Sequence, residues 1–203
     1  MLAAVILAAG ESRRMGRPKA TLRFPDSEAT PGKATFLEHL INVSRHPKIG
    51  VLRIVLGAHA EKVQQQVPLD PQCVLLNENW QQGQLSSIQA ALRNLASERV
   101  DGVLLFLVDH PLISPALVAD LIQHFYSSGK LIVLPTHRGK RGHPLIFSNR
   151  LFAELLTAPP DVGARAVVWA HAADLLEVPT EEEGVILNLN DPKALQRILK
   201  EKQ

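Results

Sequence analysis

A single cysteine in 203 residues excludes an intrachain disulfide and leaves no thiolate cluster for zinc, which fits a reducing cytoplasm. That residue, Cys73, precedes Val74-Leu75-Leu76 and reads as a buried strand position rather than a nucleophile. Aromatic residues make up only 4%, too few for base-stacking platforms, and the net charge of +2 lacks the basic excess of a nucleic-acid footprint. Long apolar runs are missing too: those at 2–9 and 103–108 fall well short of the ~20 residues a membrane helix needs. No basic stretch precedes the first run and arginines follow it at once, so it is not expected to be a secretory leader. Repeats and low-complexity tracts are also absent. Nucleic acid and membrane are thereby excluded as partners. With 46% hydrophobic residues, the chain is expected to form one domain over 1–203 with an ample core.

Leu2-Ala3-Ala4-Val5-Ile6-Leu7 has no polar helical face and is short, as a strand buried on both sides of a parallel sheet would be. Directly after it comes Gly10-Glu11-Ser12-Arg13-Arg14-Met15-Gly16-Arg17-Pro18-Lys19, a loop with four cations and two glycines expected to supply positive φ and close backbone approach. In open α/β sheets ligands settle outside the carboxyl ends of strands, and here the natural guest is a phosphate chain. A P-loop would need Gly-Lys-[Ser/Thr], but Gly16 is followed by Arg17-Pro18, and Ala20 stands where the hydroxyl should be. A dinucleotide fingerprint would carry almost no charge. Four cations suit a nucleoside triphosphate with a departing pyrophosphate. A merely solvated basic loop is the plainer alternative, and two placed glycines after a buried strand weigh against it.

Further apolar runs at 51–56, 73–76, 103–108, 131–134 and 174–178 read as strands. Helical periodicity separates them: Phe36, Leu37, Leu40 and Ile41 form one apolar face, Leu85, Ile88, Leu92 and Leu95 another. Ser114-Pro115 is a cap followed by a first-turn proline, leading Leu117, Leu121, Ile122 and Phe125 inward. This alternation predicts an α/β fold, a mostly parallel sheet with helices on both faces. Residues 23–35 are expected to be a mobile polar loop, 135–143 a second cationic loop, and 192–203 a terminal helix packed through Leu195, Ile198 and Leu199.

Asp109 ends the apolar run 103–108, where a carboxylate is costly unless paired. A divalent cation is the obvious partner, and magnesium needs few protein oxygens because water and phosphates complete its octahedron. Asn188-Leu189-Asn190, expected to close a strand over 185–187, can supply an amide oxygen, with either asparagine as ligand. The alternative is structural, with Asp109 and Asn190 capping the helices that follow them.

Leu7-Ala8-Ala9-Gly10-x-Ser12-x-Arg14-Met15-Gly16-Arg17-Pro18-Lys19 resembles the signature of the nucleotidyltransferases with a Rossmann-like fold, most closely the molybdenum-cofactor branch, whose members include molybdopterin cytidylyltransferase. Leu107-Val108-Asp109-His110-Pro111 is similar to that family's metal-binding Asp-x-Pro, Gly83-Gln84-Leu85-Ser86-Ser87 to its nucleotide-contacting turn, and Arg141-Gly142-His143-Pro144 to its Gly-His-Pro segment. The resemblance implies a three-layer Rossmann-like fold with a mostly parallel mixed sheet, of the nucleotide-diphospho-sugar transferase type. It also implies a cytoplasmic, magnesium-dependent transfer of a nucleoside monophosphate to a phosphorylated acceptor such as molybdopterin, with release of pyrophosphate. In that scheme Asp109 with Asn188 or Asn190 holds the metal, Lys19 neutralises the reacting phosphorus, and Arg14 holds the departing phosphates.

The same resemblance places Leu7, Ala8, Ala9, Gly10, Ser12, Gly83, Ser86 and Ser87 against the nucleotide, and His143 and Arg141 against the acceptor. Guanylyltransferases of this branch often have Gly where this chain has Ala9; a methyl there leaves less room for a purine, which favours CTP. Where the family has Asp-x-Asp or Asn-x-Asn followed by Thr-Pro, this chain has Asn188, Asn190 and then Asp191-Pro192. A transient contact with a molybdoenzyme or its chaperone is implied as well. Competing readings are a transferase for another acceptor, such as a sugar 1-phosphate, a nucleotide-sugar glycosyltransferase, and a non-catalytic nucleotide-binding accessory protein.

Overall fold

β1 (Leu2–Ala8) is the strand around which the molecule is arranged, and its alternating side chains enter two different cores. Leu2, Ala4 and Ile6 belong to one, Ala3, Val5 and Leu7 to the other, as the two-residue period of a doubly covered strand requires. The computed structural model describes residues 1–24 and 34–190. After β1 the chain runs through α1 (Phe36–Val43), β2 (Ile49–Leu56), α2 (Ala60–Gln66), β3 (Val74–Leu76), α3 (Gln84–Asn94), β4 (Gly102–Leu107) and α4 (Pro115–Ser128). There follow β5 (Ile132–His137), β6 (Lys140–Arg141), β7 (Leu145–Ser148), α5 (Phe152–Thr157), α6 (Arg165–Ala170) and β8 (Leu175–Pro179).

Among the described residues the strands form one sheet in the order β3-β2-β1-β4-β7-β5-β6, with β8 paired to β5. β3, β2, β1 and β4 are parallel, as are β5 and β8, whereas β7 runs antiparallel to both β4 and β5. Phe36, Leu37 and Leu40 of α1, Val63 of α2, and Leu117, Leu121, Ile122 and Phe125 of α4 cover one face. Leu85, Ile88 and Leu92 of α3, Leu155 of α5 and Val167 of α6 cover the other. The architecture is therefore the three-layer α/β arrangement with a mostly parallel mixed sheet.

Several local expectations need correction. Cys73 ends a 3-10 turn ahead of β3 rather than lying in the strand, and burial raises its thiol pKa. The 135–143 stretch is a hairpin, not only a loop: β5 and β6 are joined at Arg138 and Gly139, whose φ values of 48° and 74° give the left-handed pair that suits a tight two-residue turn. The short run Leu145-Ile146-Phe147-Ser148, not assigned from sequence, is a strand. Residues 185–187 are not a strand; Glu183–Val185 form a 3-10 turn and the chain continues without regular structure. Residues 25–33 of the expected polar loop and the expected helix at 192–203 lie outside the described residues.

The segment 180–190 straps the carboxyl ends of the strands together. Thr180 donates its N–H to the Thr136 carbonyl at 2.8 Å and accepts from His137 Nδ1 at 3.0 Å. The Val185 carbonyl accepts from the His143 N–H at 2.9 Å, and the Leu189 N–H donates to the Asp109 carbonyl at 2.8 Å. Glu182 accepts from the N–H of Ser114 at 3.2 Å and from its hydroxyl, placing a carboxylate at the positive N-terminus of α4. Replacing Glu182 by Ala is expected to lower the free energy of unfolding by about 1–2 kcal/mol, through loss of charge-assisted hydrogen bonds at a helix start. Urea unfolding checks this, and an unchanged midpoint would remove Glu182 as an anchor of the strap.

Candidate active site

The loop after β1 is shaped by one left-handed serine and one left-handed glycine. Ser12 has φ 56° and Gly16 φ 66°, whereas Gly10, expected to need positive φ, does not adopt it. Between them, Arg13–Met15 form a 3-10 turn that turns Arg13 and Arg14 outward. Ser12 Oγ accepts from the Lys19 N–H at 3.2 Å and closes the loop on itself, while His59 Nε2 donates to the Glu11 carbonyl at 2.8 Å and fastens it to the start of α2. His59 thus has a structural task.

Parallel pairing of β1 with β4 carries the two strand ends to the same edge, where the Val108 N–H donates to the Leu7 carbonyl at 3.1 Å. Asp109 follows at once. Between it and the loop lies a cavity of about 430 Å³, lined by residues 7–12 and 18–20, by the 80–84 turn with Ser87, and by residues 107–109 and Asn188. Of the expected nucleotide contacts, Leu7, Ala8, Ala9, Gly10, Ser12, Gly83 and Ser87 therefore share one space with Lys19 and Asp109. Arg14 is exposed beside the cavity and does not line it. Ser86 is turned into the protein, its hydroxyl donating toward the carbonyls of Gly83 at 2.8 Å and Asn79 at 3.0 Å.

At the floor, Lys19 Nζ donates to Asp109 Oδ2 at 3.1 Å and to Asn190 Oδ1, with side-chain exposures of only 14% for the lysine and 22% for the aspartate. A carboxylate oxygen and an amide oxygen from distant segments thus share a single cation. Because 185–190 is not a strand, Asn188 and Asn190 do not alternate as expected: Asn188 is exposed on the cavity wall and Asn190 reaches the lysine. This donor set is oxygen only, and no group of three His, Cys, Asp or Glu suited to a metal occurs among the described residues. It fits a hard cation such as magnesium, which takes few protein oxygens, and does not fit zinc.

The two residues expected at the acceptor do not enter this cavity. Arg141 pairs with Glu177 at 2.7 Å on the edge of the sheet. His143 packs its ring on His110, 5.0 Å between centroids, and the Nδ1 atoms of both are buried without a hydrogen-bond partner. Burial lowers the pKa of His110 against the pull of the neighbouring Asp109 carboxylate, and burial beside His110 lowers that of His143 from 6.5 to about 4.

Together the fold and the cavity define an α/β protein of the kind that holds a polyphosphate at the carboxyl edge of its sheet. The chain belongs to the family described as the MobA-like NTP transferase domain, whose model matches residues 4–175. It is 31% identical over 199 residues to the probable molybdenum cofactor guanylyltransferase of Mycobacterium avium, covering 97% of this chain and 94% of that one. The crystal structure of Rv0371c from Mycobacterium tuberculosis superposes with a TM-score of 0.79 at 26% identity, covering 98% of this chain and 99% of that one. A manganese complex of the same protein gives 0.74, with coverage of 100% and 99%.

Burial of neutral His143 has a pH consequence with a definite sign. Since the folded state resists protonation until about 4 and the unfolded chain takes the proton near 6.5, stability is fully present above 6.5 and is lost as pH falls toward 4. Urea unfolding of the wild type should therefore weaken across that window, and His143→Phe should weaken less. Equal slopes for the two would contradict the assignment.

Proposed function

We propose that this chain is a magnesium-dependent nucleotidyltransferase that moves CMP from CTP to the phosphate of molybdopterin. The observation that carries the reading is the shared cavity in which the loop ending at Lys19 faces Asp109. The names of the relatives support the class of reaction and the acceptor. A phosphate monoester with a second pKa near ~6 is mostly dianionic at neutral pH and needs no protein base. Its oxygen forms the new bond to the α-phosphorus, the bridging bond to the β-phosphate breaks, and pyrophosphate leaves with the electron pair. Asp109 with Asn190, and Asn188 beside them, would hold magnesium, which supplies neutralisation of phosphoryl oxygens.

This chain's residues do the positioning. Lys19 shifts its hydrogen bonds from Asp109 and Asn190 to the phosphoryl oxygens as charge builds on them, and exposed Arg14 meets the departing phosphates. Backbone from residues 7–10, with Ser12, Gly83 and Ser87, holds the nucleoside. Arg141, tied to Glu177, and His143, packed on His110, stand outside this set.

CTP is favoured by the wall at Ala9. A Cβ on Gly57 would come within 2.7 Å of the Ala9 carbonyl oxygen and of Trp80 Cβ, and within 2.9 Å of the Ala9 methyl, so these three segments are in firm contact. A wall backed in this way does not recede for a purine. GTP is the second reading, favoured by the names of the mycobacterial relatives. Pyrophosphate release from each nucleotide with magnesium and molybdopterin decides between them: CTP should be turned over and should bind more tightly than GTP. The opposite order would replace the pyrimidine, and no release with any nucleotide would overturn the transferase. Lys19→Ala should lower kcat by about 100-fold or more while changing nucleotide affinity by less than about tenfold; retention of most of kcat would remove Lys19 from the chemistry.

A further inference from the structure

Asn77 follows β3 and is 5% exposed. Its amide can be oriented from chemistry alone, because the Asn79 N–H, which can only donate, lies 3.0 Å from Asn77 Oδ1. Nδ2 must then face the first turn of α3, where it lies 2.9 Å from the hydroxyl oxygens of both Ser86 and Ser87. One amide thus makes acceptors of two serines. Ser86 directs its own proton to backbone carbonyls. Ser87 has no acceptor for its proton among the described residues, although it is 3% exposed and lines the cavity.

A buried hydroxyl that accepts one hydrogen bond and has its proton unused is incomplete without a ligand. A ligand donor there would leave that proton unpaired; a ligand acceptor completes it. We propose that Asn77 is a positioning residue that sets the polarity of nucleoside recognition. By donating to Ser87 Oγ it keeps the Ser87 hydroxyl as a donor, and that donor takes an acceptor atom of the nucleoside, the chemistry of the carbonyl oxygen of a pyrimidine base. This inference rests on the nucleotide reading of the cavity and adds to it the sense of one hydrogen bond and the residue that enforces it.

The test is a calorimetric titration of magnesium-CTP into the full chain and into Ser87→Ala, Asn77→Asp, the double variant and Ser87→Thr, with unfolding midpoints measured on the same preparations. Ser87→Ala should weaken binding about tenfold, the effect of one buried hydrogen bond. Asn77→Asp, whose carboxylate captures the Ser87 proton, should weaken it at least as much. The two changes should not add: in the Ser87→Ala background Asn77→Asp should cost less than about threefold more. Ser87→Thr, which keeps the hydroxyl, should restore most of the affinity.

Full additivity, which a merely structural Asn77 would give, overturns the proposal, as does wild-type affinity in Ser87→Ala. If Asn77→Asp fails to fold, the contrast between Ser87→Ala and Ser87→Thr decides, and equal affinities for those two overturn the proposal. Failure of the wild type to bind any nucleoside triphosphate sinks the transferase reading, and this inference with it, whereas wild-type binding with silent variants sinks this inference alone.

Discussion

Lys19 is the residue on which the rest of the site depends, because its ammonium is the only described group that joins the three segments of the chain meeting there. It brings the loop after β1 to Asp109, 90 residues on, and to Asn190, 171 residues on. A carboxylate at the end of a buried strand is costly without a counter-charge, and here the counter-charge comes from the loop after β1. The same contact keeps the cavity floor in place before any ligand arrives. On the proposed reading, Asp109 and Asn190 would hold the metal and Lys19 would turn from them to the phosphates.

The surrounding structure is devoted to holding those three segments in register. Parallel pairing of β1 and β4 puts two strand ends side by side, and Ser12 and His59 fix the loop between them. The 180–190 strap, tied to β5, to the start of α4 and to the Asp109 carbonyl, delivers the asparagines without a strand of its own. Asn77 performs the corresponding task for the opposite wall, where its amide donates to two serine hydroxyls.

Much of this was legible in the sequence because it rests on local pattern. The doubly buried β1, the Ser114-Pro115 helix start and the position of Asp109 at the edge that bears the loop all follow from apolar runs and caps. What escaped depends on long-range partners. β7 is four residues long and is a strand because β4 and β5 flank it, its apolar run Leu145-Ile146-Phe147 being too short to read as one alone. Residues 185–187 are apolar for a different reason, since they pack the strap against the core, and so mimic a strand. Arg141 pairs in space with Glu177, a partner 36 residues on that local pattern does not disclose. Asn77 carried no signal, since its role exists only through a bond to α3.

The central claim is that the loop ending at Lys19 and the carboxylate of Asp109 enclose one metal-bound triphosphate. Crystals of the chain soaked with manganese and a non-hydrolysable CTP analogue test this directly through the anomalous signal of the metal. The account predicts a single strong peak against Asp109, bridged to a triphosphate lying under the loop after β1, with Lys19 turned from the carboxylate to the phosphates. A triphosphate bound elsewhere, or a metal peak distant from Asp109 with Lys19 still paired to it, would contradict the account.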